Sequence, residues 1–423
     1  MKTKNLHHIG SAANTATIIT ILFFSLLLNI PAAGESIFLF LSIIGLISLK
    51  QQKLYPDKKL NFFIIGVTSI FWLKFFSLLW SIDTRATLRD IGTHIHFLLA
   101  PLIIIAFHTA QNLLAALKFG LKTAAAMLLL WMIYHTINYG FPITEALRME
   151  AGAQNPGVLG QIVGVYAAWA LLLGLKSRDK SLLLSSAIFL GAVYFAGGRS
   201  HWTASLAIYL ATLIYIARDT RHFRTVALIS IIPLFAGAMA IWPRVEKAYD
   251  EYQLYLNSWQ AYRSGAITTK ELRQAASSSV GNRAALYIIA LNTWPKSPWL
   301  GFGAGTSKHV IDQNAPLQSN DLVSGHWHQQ YIHILMELGI LGFLALIFSI
   351  SLMIKYLKTP KPPTNGNTSL ELFFITLAQI AIVGLFTGSM QQGLLNTHIA
   401  ASFAFCAALK IKESTQNNPA TQP

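Results

Sequence analysis

The chain reads as an all-α polytopic membrane protein of about twelve transmembrane helices with one large, mostly helical outer loop. Three observations lead there. Of its 423 residues 53% are hydrophobic and 12% charged, where an ordinary soluble protein carries roughly 25% charged residues. The apolar residues are gathered into runs long enough to cross about 30 Å of hydrocarbon as helix. The 32 Lys and Arg, which give a net charge of +15, fall in short clusters between those runs. That distribution reports membrane orientation, and no single basic patch is left to hold nucleic acid.

The apolar runs lie near 14–31, 36–49, 61–80, 91–107, 112–138, 157–175, 181–197, 201–217, 224–242, 328–354, 369–389 and 392–410. With both termini cytoplasmic, the inner segments hold nineteen Lys and Arg, among them Lys58, Lys59, Lys118, Lys122, Arg218, Arg221, Lys355 and Lys358. The short outer loops hold four: Arg85, Arg89, Arg148 and Arg199. This asymmetry follows the positive-inside rule and puts the long loop at 243–327 on the outer face. The chain therefore divides into spans one to nine (1–242), the loop (243–327), spans ten to twelve (328–412) and a cytoplasmic tail (413–423). Lys2 and Lys4 before an apolar run and Pro31-Ala32-Ala33-Gly34 have the look of a signal peptide. The run is longer than a usual h-region, so an uncleaved anchor is expected. Cys406 is the sole cysteine and offers neither an internal disulfide nor a thiolate metal site.

Within the loop, Tyr249, Tyr252, Tyr255, Trp259 and Tyr262 recur every three or four residues. The spacing predicts a helix with one aromatic face, suited to a bilayer headgroup layer or to packing on the bundle. Thr268 with Glu271 predicts a capping box, and a further helix runs from about Asn282 to Trp294, stopped by Pro295 and Pro298. The run Gly301-Phe302-Gly303-Ala304-Gly305-Thr306 lacks the strand-turn-helix setting of a dinucleotide loop. It reads as a turn needing positive φ or close backbone approach, with a place beside substrate as the functional expectation.

The polar stretch ends in Gly325-His326-Trp327-His328-Gln329-Gln330, directly before a long apolar run. A titratable ring beside a membrane span costs free energy unless it has a partner or a task. Placed on a helix of about 100° per residue, His328 shares a stripe with Leu335, Gly339 and Gly342, the glycines lying about 16 to 21 Å deeper. Glycines there admit a close neighbouring helix. Glu337 points to the opposite side and is expected to be structural, held by an interhelical hydrogen bond.

His328-Gln329, nine residues, then Gly339-Ile340-Leu341-Gly342 resembles the signature of bacterial O-antigen ligases. The Gly301–Gly305 run and the Gly197-Gly198-Arg199-Ser200 turn are similar to that superfamily too, and the order of spans with one late outer loop carries the resemblance over essentially the whole chain. It implies a GT-C type glycosyltransferase in the bacterial inner membrane, its site facing the periplasm. The donor would be O-antigen on undecaprenyl diphosphate and the acceptor a lipid A-core hydroxyl. O-antigen polymerases and protein O-oligosaccharyltransferases share the superfamily, and the short tail favours the ligase.

The chemistry fits the residues. A departing diphosphate needs cations, and arginine's planar fork matches phosphate oxygens. Arg199 in its Gly-rich turn and Arg283 near a helix start are the candidates. Arg89 and Lys74 are weaker ones, and Lys74 can instead snorkel. His328, as a neutral imidazole, can take the proton of an attacking sugar hydroxyl, which predicts inversion in one displacement. His326, Gln329 and Tyr287 are further substrate-binding candidates, and His326 can also orient His328. A metal on His326, His328 and His333 lacks a nearby cysteine, and Asp321 lies in a polar stretch. Metal-independent action without a cofactor is expected. A transporter of lipid-linked glycan is the competing class, but the internal repeats and midplane polar residues it calls for are not seen.

Overall fold

A computed structural model describes residues 2–30, 32–51, 58–140, 148–153, 155–218, 246–314, 326–358, 367–388, 390 and 392–416. Among these, every regular element is a helix. The first nine are α1 (Lys2–Leu26), α2 (Ala33–Gln51), α3 (Lys58–Phe76), α4 (Thr84–Thr93), α5 (Ile95–Thr109), α6 (Leu113–Tyr139), α7 (Pro156–Ser177), α8 (Lys180–Phe195) and α9 (Arg199–Ala217). Next come α10 (246–263), α11 (Thr269–Ala275), α12 (Ser279–Thr293) and α13 (Ser307–Asn314). The chain closes with α14 (Gln330–Lys358), α15 (Thr368–Gly384) and α16 (Gly393–Gln416).

Seven helical stretches among the described residues are long and apolar enough to cross a membrane: Lys59–Leu79, Thr84–Thr109, Leu113–Tyr139, Pro156–Ser177, Ser200–Ala217, Gln330–Lys358 and Gly393–Thr415. Four shorter apolar helices, Asn14–Leu26, Ala33–Leu49, Lys180–Phe195 and Thr368–Gly384, stand beside them. Each falls on an expected span, while the expected ninth span at 224–242 lies outside the described residues. The fourth expected span differs in detail. It begins earlier, at Thr84, because the Asp83 carboxylate accepts from Ala86 N at 3.0 Å, and it is interrupted at His94 between α4 and α5.

Local chemistry sets the other boundaries. Asn155 Oδ1 accepts from Gly157 N and Val158 N, and Pro156 opens α7 with its missing donor at no cost. Arg178 in the left-handed region ends α7, and Asp179 at once caps α8 through Ser181 N and Leu182 N. The result is a tight αα hairpin, tied further by Lys122 Nζ to Asp179 Oδ2 at 2.7 Å. The expected capping box is present: Thr268 Oγ1 accepts from Glu271 N, and Glu271 Oε2 accepts from Thr268 N at 2.7 Å.

The bundle is centred on α7 and α16, whose side chains are almost all buried. Phe24, Phe107, Tyr166, Trp169 and Phe405 interlock there, with ring centroids 5.5 Å apart for Phe24–Phe405 and 5.6 Å for Phe107–Phe405. Because lipid tails are as apolar as these rings, such contacts hold helices together by close packing more than by removal from water. Trp169 donates its indole N–H to Leu372 O at 3.0 Å, so the large ring also meets its polar need.

Helix directions sort the ends. α15 runs antiparallel to α9, since Gln379 bonds Ser205 at 3.0 Å and Tyr215 OH bonds Glu371 at 3.0 Å. α3 runs antiparallel to α14, with Ser69 Oγ 2.5 Å from Ser349 Oγ and Lys74 Nζ 2.6 Å from Glu337 Oε2. Tyr331 OH donates to Ala381 O at 2.8 Å, which joins the start of α14 to the end of α15. One end of the bundle thus carries the Gly197–Arg199 turn, the segment at 297–306 and the histidines. The other carries Lys176 with Glu371, Lys122 with Asp179, Lys355 and Lys358.

The described part of the long loop at 243–327 has its own core. Tyr255 of α10, Leu272 of α11, Leu286 of α12, Ile311 of α13 and Trp327 pack together. The aromatic face of α10 is therefore shared. Its second half, with Trp259 and Tyr262, joins this core, while Tyr249 and Tyr252 remain exposed.

Candidate functional site

The histidine segment is built around Trp327. This indole is fully buried in the loop core and fixes the residues on either side of it. His328 takes φ of 50°, a left-handed conformation that costs a non-glycine residue energy and marks a constrained position. α14 starts only at Gln330. His328 therefore does not head a helical stripe with Leu335, Gly339 and Gly342, and that expectation is corrected. Freed from helical geometry, the rings of His326 and His328 come together with centroids 4.3 Å apart.

Arg283 is near enough to His328 for its charge to act on that ring. It lies in the first turns of α12, which Ser278 caps by accepting from Gly281 N at 2.9 Å. Burial, and then the Arg283 charge, push His328 down to about 4. Burial, followed by His328 and His333, brings His326 down to about 4 as well. Both rings are thus neutral near pH 7 and can accept a proton. Tyr287 follows Arg283 by one turn and is half-buried; burial raises its phenol while Arg283 opposes the rise. Arg283 makes no ion pair with a carboxylate among the described residues.

The remaining candidates separate. Gln329 turns its side-chain oxygen to Ile332 N at 2.7 Å and so caps α14. Arg89 is exposed on α4 at the same end of the bundle. Arg199 opens α9 behind Gly197, whose φ is 68°; its side chain and Asp321 lie outside the described residues. Lys74 does not snorkel. Its side chain is buried, and its ammonium lies 2.6 Å from Glu337 Oε2 and 3.0 Å from Asp90 Oδ2. With two carboxylates already on it, this cation is engaged within the protein.

That pairing belongs to a buried cluster below the histidines. Ser307 Oγ donates to Glu337 Oε1 at 3.0 Å, and His333 Nε2 lies 3.2 Å from Glu337 Oε2. His333 Nδ1 is 3.3 Å from Ser307 Oγ, so both nitrogens of that ring are occupied. Among the described residues no group of three or more His, Cys, Asp or Glu stands within reach of one metal ion. Glu337 is held by an interhelical hydrogen bond from Lys74, as its sequence setting led one to expect, but the sequence reading did not single out Asp90 or Ser307. The signal was available: Lys74, Asp90 and Glu337 are ionisable residues in apolar segments, where such groups pair with one another.

α14 is itself broken, two residues after Glu337. Gly339 has φ of 65° and ψ of −169° inside α14, a region open to glycine alone. The segment at 298–303 fills the gap. Phe302 N and Gly303 N donate to Met336 O and Glu337 O, both at 2.9 Å, while Ile340 N and Leu341 N donate to Pro298 O and Trp299 O at 2.9 and 3.1 Å. A Cβ on Gly339 would come within 2.2 Å of Trp299 O, and one on Gly301 within 2.5 Å of Glu337 C. The Gly-x-Gly run is therefore a backbone splint for a broken helix, with Gly301, Gly303 and Gly305 all at positive φ.

Fold and site together define a class: a many-helix membrane protein with paired neutral histidines beside an arginine at one end of its bundle. Residues 184–347, which include the Gly197–Arg199 turn, Arg283 and both histidines, match the model of the family described as O-antigen ligase. The chain is also 23% identical over 363 residues to an uncharacterized protein of Haemophilus influenzae, covering 81% of this chain and 84% of that one.

Proposed function

We propose that the protein is an O-antigen ligase that moves glycan from undecaprenyl diphosphate to a lipid A-core sugar hydroxyl. The observation that carries this reading is the His326–His328 ring pair, with Arg283 near enough to act on the His328 charge, inside the stretch that matches the family. In the proposed reaction His328 takes the proton of the acceptor hydroxyl, whose oxygen bonds to the anomeric carbon. The bond from that carbon to the diphosphate oxygen breaks, and its electron pair stays with the leaving group. Arg283, with Arg199 from the other turn at this end, neutralises the charge that develops there. Attack opposite the leaving group inverts the anomeric centre, and His326 and Tyr287 orient the sugars.

Base and counter-charge both come from side chains, so neither a metal nor a nucleotide is required by this scheme. Twelve spans are assigned, with both termini in the cytoplasm and residues 243–327 in the periplasm, where lipid-linked glycan and lipid A core meet. The charge distribution supports that orientation, with Lys122, Lys176, Lys355 and Lys358 gathered at the end away from the histidines.

Purified protein is to be given polyprenyl diphosphate glycan in EDTA, with either lipid A core or a second glycan repeat as acceptor. Product on lipid A core supports a ligase, whereas product only on glycan makes the enzyme a polymerase. His328→Ala is expected to lower transfer by about 10³-fold or more, the range of a lost general base with its coupled steps. Undiminished transfer by that variant would sink the assignment of the base.

A further inference from the structure

We infer that Glu337 is a positioning residue for the histidine site, acting through the first part of α14 and the Lys74–Asp90 pair. This rests on the proposed transfer reaction as its readout.

The inference begins with the break at Gly339. Residues 330–338 are cut off from the helical ladder of the rest of α14, because the carbonyls of Met336 and Glu337 accept from the 302–303 backbone. This short helical piece carries the histidine segment on its front. Its position is set by whatever ties it to the neighbouring elements.

Two ties lie near the front: Tyr331 OH to Ala381 O at 2.8 Å and Gln330 Oε1 from Met390 N at 3.1 Å. At the back, one carboxylate makes the connections. Glu337 is 1% exposed and reaches Lys74 of α3, Ser307 at the start of α13 and His333 one turn ahead of it. Lys74 carries the connection on to Asp90 of α4 at 3.0 Å. His333 in turn is close enough to His326 to act on its charge. A line of contacts therefore runs from α3 and α4 through Glu337 to His333, in the same short helical piece that follows the histidine pair.

An isolated buried carboxylate would be costly, and a packing role alone would be met by an apolar side chain. A carboxylate bonded to two other elements, α3 and α13, and to His333 of its own piece at the rear of a severed helical segment instead fixes one geometry for what that piece carries. Displacement by about 1 Å at reacting groups is enough to cost about 10²-fold in rate.

Glu337→Gln is the variant of choice. It keeps the size of the side chain, and Lys74 keeps Asp90 as its counter-ion, so no cation is stranded. Ser69→Ala removes a polar contact between the same two helices far from the histidines and serves as the control. The measurements are kcat and KM for glycan transfer per folded protein, the thermal midpoint, and hydrogen exchange over residues 326–338. For Glu337→Gln we expect kcat to fall at least tenfold with KM within about twofold, and faster exchange confined to that segment. Ser69→Ala is expected to match the parent.

A Glu337→Gln protein with parental kcat would overturn the inference, as would a loss of activity matched by an equal loss of folded protein. Failure of the underlying reading is separate: the parent itself would then show no transfer, while the exchange measurement would still report whether Glu337 holds the segment.

Discussion

At the scale of single residues, the electrostatics of His328 give a signed pH dependence. Its proton-accepting form is lost as pH falls through about 4, well below the ordinary histidine value of about 6.5. The unfolded chain binds the proton nearer that ordinary value. The contribution to stability is therefore present above it and lost as pH falls towards the folded value. Arg283→Gln removes a nearby positive charge that disfavours the imidazolium. The acid limb of kcat/KM should move to higher pH, and transfer at neutral pH should fall by about 10² to 10³-fold for a lost leaving-group contact. An acid limb that stays in place or moves lower would separate Arg283 from His328. His326 and His328 could be singled out from residue type and position beside a span, and their rings do meet. The Lys74–Asp90–Glu337 cluster is signalled by ionisable residues in apolar segments, but its geometry is not, because its members come from α3, α4 and α14, whose pairing no local spacing shows.

The break in α14 is the element-scale feature with the largest consequences. Sequence spacing presents Gly339 and Gly342 as a packing stripe, and nothing local distinguishes a glycine that admits a neighbouring helix from one that interrupts its own. The partner segment at 298–303 supplies the missing information, and it is distant in sequence. Gly339→Ala should cost about 3 kcal/mol or more, since a Cβ meets Trp299 O at 2.2 Å in a backbone region that is itself worth about 1 to 3 kcal/mol of strain. Gly92→Ala in α4 is the matching control. An added Cβ there meets nothing within 4 Å, and alanine should be neutral or stabilise by up to about 1 kcal/mol. Thermal midpoints of the two purified variants check the pair, and an equal response would remove the special status of Gly339.

For the whole molecule, charge and geometry divide along the same axis. Hydrophobic runs were legible as spans because each must satisfy its backbone within one helix across the lipid, and the described helices fall on those runs. The order in which the helices pack was not legible, since apolar faces in a bundle lack the polar stripe that marks a surface helix. Their antiparallel pairings place exposed Arg89 at the histidine end and exposed Lys358 at the other. If the histidine end faces the periplasm, a membrane-impermeant thiol reagent added to cells with a permeabilised outer membrane should label Arg89→Cys and leave Lys358→Cys unlabelled until the inner membrane is opened. The native Cys406 is buried, so background labelling should be low without replacing it. The reverse pattern would put the histidines in the cytoplasm, where a lipid-linked donor already carried across the membrane is out of reach, and the proposed transfer would have no substrate.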